Sequence, residues 1–272
     1  MICKYAVLCA KFEITMNISP LYKLRIFSLD DVVQAFGMTS SAAASALIRW
    51  QQQEVIQMVR RDMYAVIDNA SGSVLADKYE IATRLSPTSY VGWHTALEFH
   101  GLAHQPFFTA YVGSNSRFNP FSFGGIDYCR CKPSIVVTEE NGVITPVGNP
   151  YVRVTDLERT IIDCCDQSDK AGGIEELGHC LEGVTLLEEK RLLYYLSAIG
   201  KAVTYQKTGF MLETFCPQAH LSEDFFETCR EKSALHTKHL TSDGNSDKFI
   251  TRWRLYVPHI LINQTLTEDD II

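Results

Sequence analysis

The sequence predicts an α+β fold: an N-terminal winged helix-turn-helix, then a larger mixed α/β domain with a central, mostly antiparallel sheet and a helical C-terminal third. Three observations carry this expectation. Two helical periodicities about a tight turn are followed, within residues 28–67, by two β-rich runs around a polar corner. Residues 105–155 are dense in β-branched and aromatic residues, broken by Gly, Pro and Asn. From Thr155 onward, capping signals and glycine stops alternate with apolar-periodic stretches.

Ser28 opens the first clear helix, with Asp30 and Asp31 in its electropositive first turn and Gly37 as a left-handed stop. Thr39 or Ser40 caps a second helix over about 41–53, whose apolar positions Ala43, Ala44, Leu47 and Ile48 recur at helical spacing. Val55 to Val59, the charged corner Arg60-Arg61-Asp62 and Met63 to Ile67 then read as a hairpin. Helix, turn, helix, hairpin is the order of a winged helix, in which the second helix enters the major groove and the hairpin follows the backbone. Residues 68–78 are polar and Gly/Ser-containing and read as a linker, dividing a 16–70 domain from a 71–272 domain.

Beyond it, helices are expected at 77–85 and across Ala96-Leu97, ending at His100-Gly101. Strands are expected at 107–113, 125–131, 134–138, 142–146 and 151–154. Thr155-x-x-Glu158 and Thr185-x-x-Glu188 read as capping boxes. Further helices are expected at 174–182, 202–215 and 222–232, and a late strand at 249–257, within a 216–272 tail whose role stays open.

Composition bounds the function. The 46% hydrophobic content excludes a disordered chain, and no run reaches the roughly 18 apolar residues of a bilayer span. The first sixteen residues make a poor signal peptide, since Lys11 and Glu13 interrupt them, and either Met1 or Met16 serves as a start. Nine Cys, an odd number in a chain large enough to build its own core, point to a reducing, cytoplasmic compartment. Residues 1–70 carry seven Lys/Arg against six Asp/Glu, and residues 71–272 carry eighteen against twenty-six. A phosphate backbone is therefore a partner for the first part only.

The chemistry-bearing constellations are few. His94, Glu98 and His100 do not share one helical face, so no metal is expected there. Cys129-x-Cys131 and Cys164-Cys165 lack the spacing of zinc or redox motifs, and the phosphate-loop, dinucleotide and nucleophile-elbow motifs are absent. Neither cofactor nor catalytic residue is expected. The DNA-facing candidates are Thr39, Ser40, Ser41, Ser45 and Arg49 on the second helix, with Arg60 and Arg61 at the hairpin tip.

With those residues in view, the chain resembles the AbiEi-type antitoxins, transcriptional regulators of abortive-infection (type IV) toxin–antitoxin pairs. The resemblance runs through the hairpin's Arg60 to Tyr64 and through Tyr90 to Leu102, which ends Ala-Leu-x-x-His-Gly-Leu. It is strongest at Val154 to Asp163, similar to the family's Glu-Arg-Thr-x-x-Asp helix. Asp62 departs from the glycine often found after the arginine pair, and nothing after about residue 216 matches. The resemblance implies autorepression through operator DNA and a larger antitoxin domain countering a nucleotidyltransferase-like toxin, without a stable complex. It singles out His100, Glu158, Arg159 and Asp163 in that domain. Glu158 reads first as a cap, whereas Arg159 and Asp163 fit either a functional surface or an internal ion pair.

The residues leave two other classes open. One is a metal-dependent nuclease or hydrolase that uses carboxylates around 127–163 and a winged-helix targeting domain. The other is a protein-interaction module with a degenerate winged helix.

Overall fold

A computed structural model describes residues 17–241 and 247–261. The choice between Met1 and Met16, the signal-peptide reading and the last eleven residues lie outside the described residues. The fold is mixed α+β and divides after Asp77 into two compact units.

The first unit runs α1 (Ser19–Leu24), β1 (Ile26–Phe27), α2 (Leu29–Phe36), α3 (Ser40–Gln52), β2 (Ile56–Arg60) and β3 (Met63–Val66). Its strands form an antiparallel sheet in the order β1-β3-β2. The capping box is formed: Ser28 Oγ accepts from the Asp31 N–H, and Asp31 Oδ2 accepts from the Ser28 N–H. Gly37 ends α2 at φ 61°, and two residues later Thr39 Oγ1 accepts the Ala42 N–H at 3.3 Å to start α3. Leu21, Phe27, Val32, Leu47, Trp50 and Val66 fill the core between helices and sheet.

Residues 68–75 differ from the linker expected there. Asp68 carboxylate and carbonyl take the Ser71 and Gly72 N–H groups, Ile67 bridges Val74, and the Leu75 N–H donates to the Val66 carbonyl at 2.8 Å. The polar stretch is a tight return onto β3. Its turn-forming composition is real, but the turn closes on its own unit rather than spanning a gap.

The larger unit begins with α4 (Lys78–Arg84), β4 (Tyr90–Val91), α5 (Trp93–Phe99), β5 (Thr109–Gly113), β6 (Phe121–Phe123), β7 (Ile126–Cys131), β8 (Val143–Ile144) and β9 (Val154–Thr155). These strands form one sheet in the order β6-β7-β5-β4-β9-β8. It is mixed, because β5 pairs β7 and β4 pairs β9 in parallel while the other neighbours are antiparallel. Residues 134–138, expected as a strand, join no ladder.

Helices follow: α6 (Leu157–Asp166), α7 (Ile174–Glu182), α8 (Glu189–Ile199), α9 (Ala202–Phe215) and α10 (Glu223–Glu231). A second sheet of β10 (Lys238–His239), β11 (Asp247–Ile250) and β12 (Leu255–Pro258) closes the unit in the order β10-β12-β11. The single late strand expected at 249–257 is thus two strands about a turn at Thr251–Trp253.

Residues 216–241 and 247–261, whose role the sequence leaves open, are integral to this unit. Phe225, Cys229, Trp253, Leu255 and Val257 belong to the same core as Ile161, Leu177 and Leu196. The Trp253 ring lies where any side chain on Gly209 of α9 would stand, 2.2 Å from a Cβ placed there, and its indole N–H donates to Glu213 at 2.5 Å. Six thiols in this unit are buried, and burial pushes those of Cys131, Cys165, Cys180 and Cys229 up to about 12. Such groups stay protonated and act as small core residues.

Candidate functional site

Helix α3 buries Ala43, Ala46, Leu47 and Trp50 and turns the opposite side outward. At 3.6 residues per turn, Ser41, Ser45, Ile48 and Gln52 align as one exposed stripe, with Arg49 on its flank. Ile48, read from the sequence as a core position, is 59% exposed. The core takes Ala46 and Trp50 instead, which shifts the apolar arc of the helix away from Ile48. Ser45 Oγ donates to the Ser41 carbonyl at 3.1 Å, so its oxygen faces outward as an acceptor. No acidic residue lies between Asp31 and Glu54.

The β2–β3 hairpin places Arg61 and Asp62 at its tip. Asp62 sits at φ 55°, in the left-handed region where glycine is at ease and Asp is tolerated. Its carboxylate accepts the Leu29 N–H at 3.1 Å, tying the tip to the start of α2. Arg61 is exposed, whereas Arg60 is half-buried, and that burial lowers its guanidinium pKa. Thr39, Ser40, Ser41, Ser45, Arg49 and Arg61 are all solvent-exposed in this unit. Thr39 and Ser45 already make hydrogen bonds within the helix.

The four residues singled out in the larger unit are mostly interior. Asp156, rather than Thr155, is the N-cap of α6: its Oδ1 accepts the Arg159 N–H at 2.8 Å. Both residues are good caps, and β9 claims Thr155, whose hydroxyl meets that of Thr160 at 2.7 Å. Glu158 therefore closes no capping box. Its Oε1 accepts the Glu188 N–H at 2.9 Å, just before α8. The second expected box, at Thr185, also fails to form, since α8 starts only at Glu189.

Arg159 and Asp163 are each 1% exposed, and Arg159 Nε donates to Asp163 Oδ2 at 2.9 Å. Arg159 Nη1 also donates to the Asn141 carbonyl at 2.9 Å. Burial pushes the Asp163 carboxyl above its ordinary range, against the guanidinium beside it. Asp163 Oδ1 and the Tyr90 hydroxyl, both buried, have no hydrogen-bond partner among the described residues. The sequence did not reveal the partners that complete this network. Asp156 Oδ2 accepts from Tyr195 at 2.6 Å and from Arg191 at 2.5 Å. Gly142 abuts them, with a Cβ there 2.9 Å from Asp156, Arg159 and Tyr195.

The Tyr90–Leu102 motif is likewise a packing element. The Tyr90 ring covers Gly113 so closely that a Cβ there would lie 2.1 Å from it. Trp93 is fully buried at φ 52°, an unusual backbone for a bulky residue. His94, Glu98 and His100 go to separate partners: His94 Nε2 to Glu176 at 3.3 Å, Glu98 to Lys78, and His100 Nε2 to the Thr155 carbonyl at 2.8 Å. Among the described residues no group of three or more His, Cys, Asp or Glu is placed to hold a metal ion.

No protein-family model matches the chain, and no curated protein matches it. Among solved structures, the RV2827C protein from Mycobacterium tuberculosis is similar over 85% of this chain and 86% of that chain. The TM-score is 0.60, at 12% sequence identity. The two chains share a fold. That share of the chain exceeds either unit alone, so the likeness to the RV2827C protein extends across the division at Asp77. At this identity the relation is one of backbone architecture, without transfer of any residue's role.

Proposed function

We propose that the chain is a DNA-binding transcriptional regulator whose first unit is a winged helix-turn-helix, with α3 as the groove helix and the β2–β3 hairpin as the wing. One observation carries this reading. A helix of small polar side chains and one arginine, free of acidic residues, turns its stripe outward beside a hairpin ending in Arg61. The element order and the β1-β3-β2 sheet support it, since both match the module. Serine and arginine at such positions suit base edges and phosphates, and Arg61 suits the backbone. Asp62, turned onto the Leu29 N–H, sets its charge against α2 rather than out along the wing.

For the larger unit, we extend the resemblance of its two motifs to AbiEi-type antitoxins. On this reading the chain represses its own operon and counters a nucleotidyltransferase-like toxin in the cytoplasm without acting as an enzyme. A gel shift with the chain's own upstream region tests the first half: a shift that a scrambled duplex does not compete supports it, and indifferent binding counts against it. Co-expression with a neighbouring nucleotidyltransferase-like protein tests the second, through restored growth or its absence.

A further inference from the structure

Ile48 stands on the outward stripe of α3 between Ser45 and Gln52, with 59% of its surface exposed. It lies outside the buried core of its own unit, which takes Leu47 and Trp50. A lone aliphatic side chain amid polar ones on a groove helix has one apolar partner among base edges, the thymine C5-methyl group. Cytosine carries only a hydrogen at that position, and the major-groove edges of adenine and guanine are dominated by hydrogen-bonding atoms. The neighbouring Ser45 offers its oxygen mainly as an acceptor, because its hydrogen is engaged with the Ser41 carbonyl. That oxygen suits an exocyclic amino group, such as the adenine or cytosine donor, beside the thymine.

Resting on the DNA-binding reading above, we propose that Ile48 is a specificity-determining residue that packs on a thymine methyl group in the major groove. The bound sequence then contains a thymine at a fixed position, recognised through shape and apolar contact rather than a hydrogen bond.

The test removes only that methyl. Duplexes are selected from a randomised pool by the full chain, and each thymine of the enriched site is replaced in turn by uracil. A buried methyl is worth roughly fourfold in affinity, so one position should weaken binding by about that factor. In Ile48→Ala the same uracil replacement should change nothing, because the contact is already lost. Since Ile48 is exposed, this variant should melt with the parent protein, and circular dichroism checks it. Enrichment of a site in which no uracil matters, or equal sensitivity in Ile48→Ala, overturns the role of Ile48 while leaving DNA binding intact. Failure to enrich any sequence removes the DNA-binding reading and this inference with it.

Discussion

Arg159 donates from Nε to Asp163 Oδ2 at 2.9 Å, one helical turn apart on α6, with both side chains 1% exposed. Two charges so enclosed are held by each other and by the Asn141 carbonyl rather than by water. Removing one partner strands the other. Arg159→Ala should destabilise the protein by about 3–5 kcal/mol, measured by urea unfolding. Replacing both residues with apolar ones of similar volume should recover much of that loss. A folded Arg159→Ala protein of parental stability that has lost only antitoxin activity would return this pair to a functional surface.

Glu158 acts at a distance along the chain, accepting the Glu188 N–H at 2.9 Å before α8. An unmet N–H at a helix start costs about what a lost cap does, roughly 0.5–2 kcal/mol. Glu158→Ala should lower the melting temperature accordingly, and Glu158→Gln, which keeps an acceptor oxygen, should recover part of it. Equal melting of Glu158→Ala and the parent protein would show that water replaces the carboxylate.

His94 is buried with its Nε2 on Glu176 Oε1. Burial lowers its pKa from the ordinary 6.5, despite the hydrogen bond and charge of Glu176, which act the other way. The unfolded chain therefore binds a proton that the folded one resists, and stability falls as pH drops below about 6.5. Glu176 adds a separate loss at lower pH. Its burial acts to raise its pKa, but bonds from Gln105 and His94 outweigh that and hold it below 4.5. Urea midpoints measured from roughly pH 7 to 5 should fall more steeply for the parent than for His94→Gln. Parallel curves would mean that the imidazole keeps its ordinary proton affinity inside the fold.

The division after Asp77 predicts that the larger unit folds alone, since among the described residues the core cluster from Trp93 to Leu261 is built within it. A fragment starting at Lys78 should unfold cooperatively, fail to bind the upstream DNA and retain protection against the toxin. A folded fragment that gives no protection, beside an intact chain that does, would tie the two units into one function.

Local signals were legible and long-range ones were not. The Ser28–Asp31 box and the Gly37 stop each depend on residues within one turn, and each reads directly from the sequence. β1 is two residues long and exists only because β3, nearly forty positions later, pairs with it, so no periodicity announces it. Thr155 and Asp156 are adjacent and equally fit to cap, and the choice between them is made by β8, whose Val143 pairs with Thr155 in the sheet. The core positions of Trp253 and Leu255 were not legible, because their partners, Gly209 and α9, are distant in sequence. Ser40, Ser41, Ser45 and Arg49 are exposed positions of α3. The exposure of Ile48 was not legible, because the core takes Ala46 and Trp50 in place of Ala44 and Ile48, a choice made by the elements packed on α3.

The most direct test of a DNA-binding first unit is the salt dependence of affinity for the upstream duplex, compared between the parent chain and Arg60→Ala/Arg61→Ala. Each phosphate contact contributes about 0.9 to the slope of log affinity against log salt, so losing both arginines should flatten it by up to about 2. Because Arg60 is half-buried, Arg61→Ala alone should account for at least half of that change. A flattened slope with weaker binding to every duplex is the outcome expected of a wing on the phosphate backbone. An unchanged slope and affinity would contradict the placement of this hairpin on DNA.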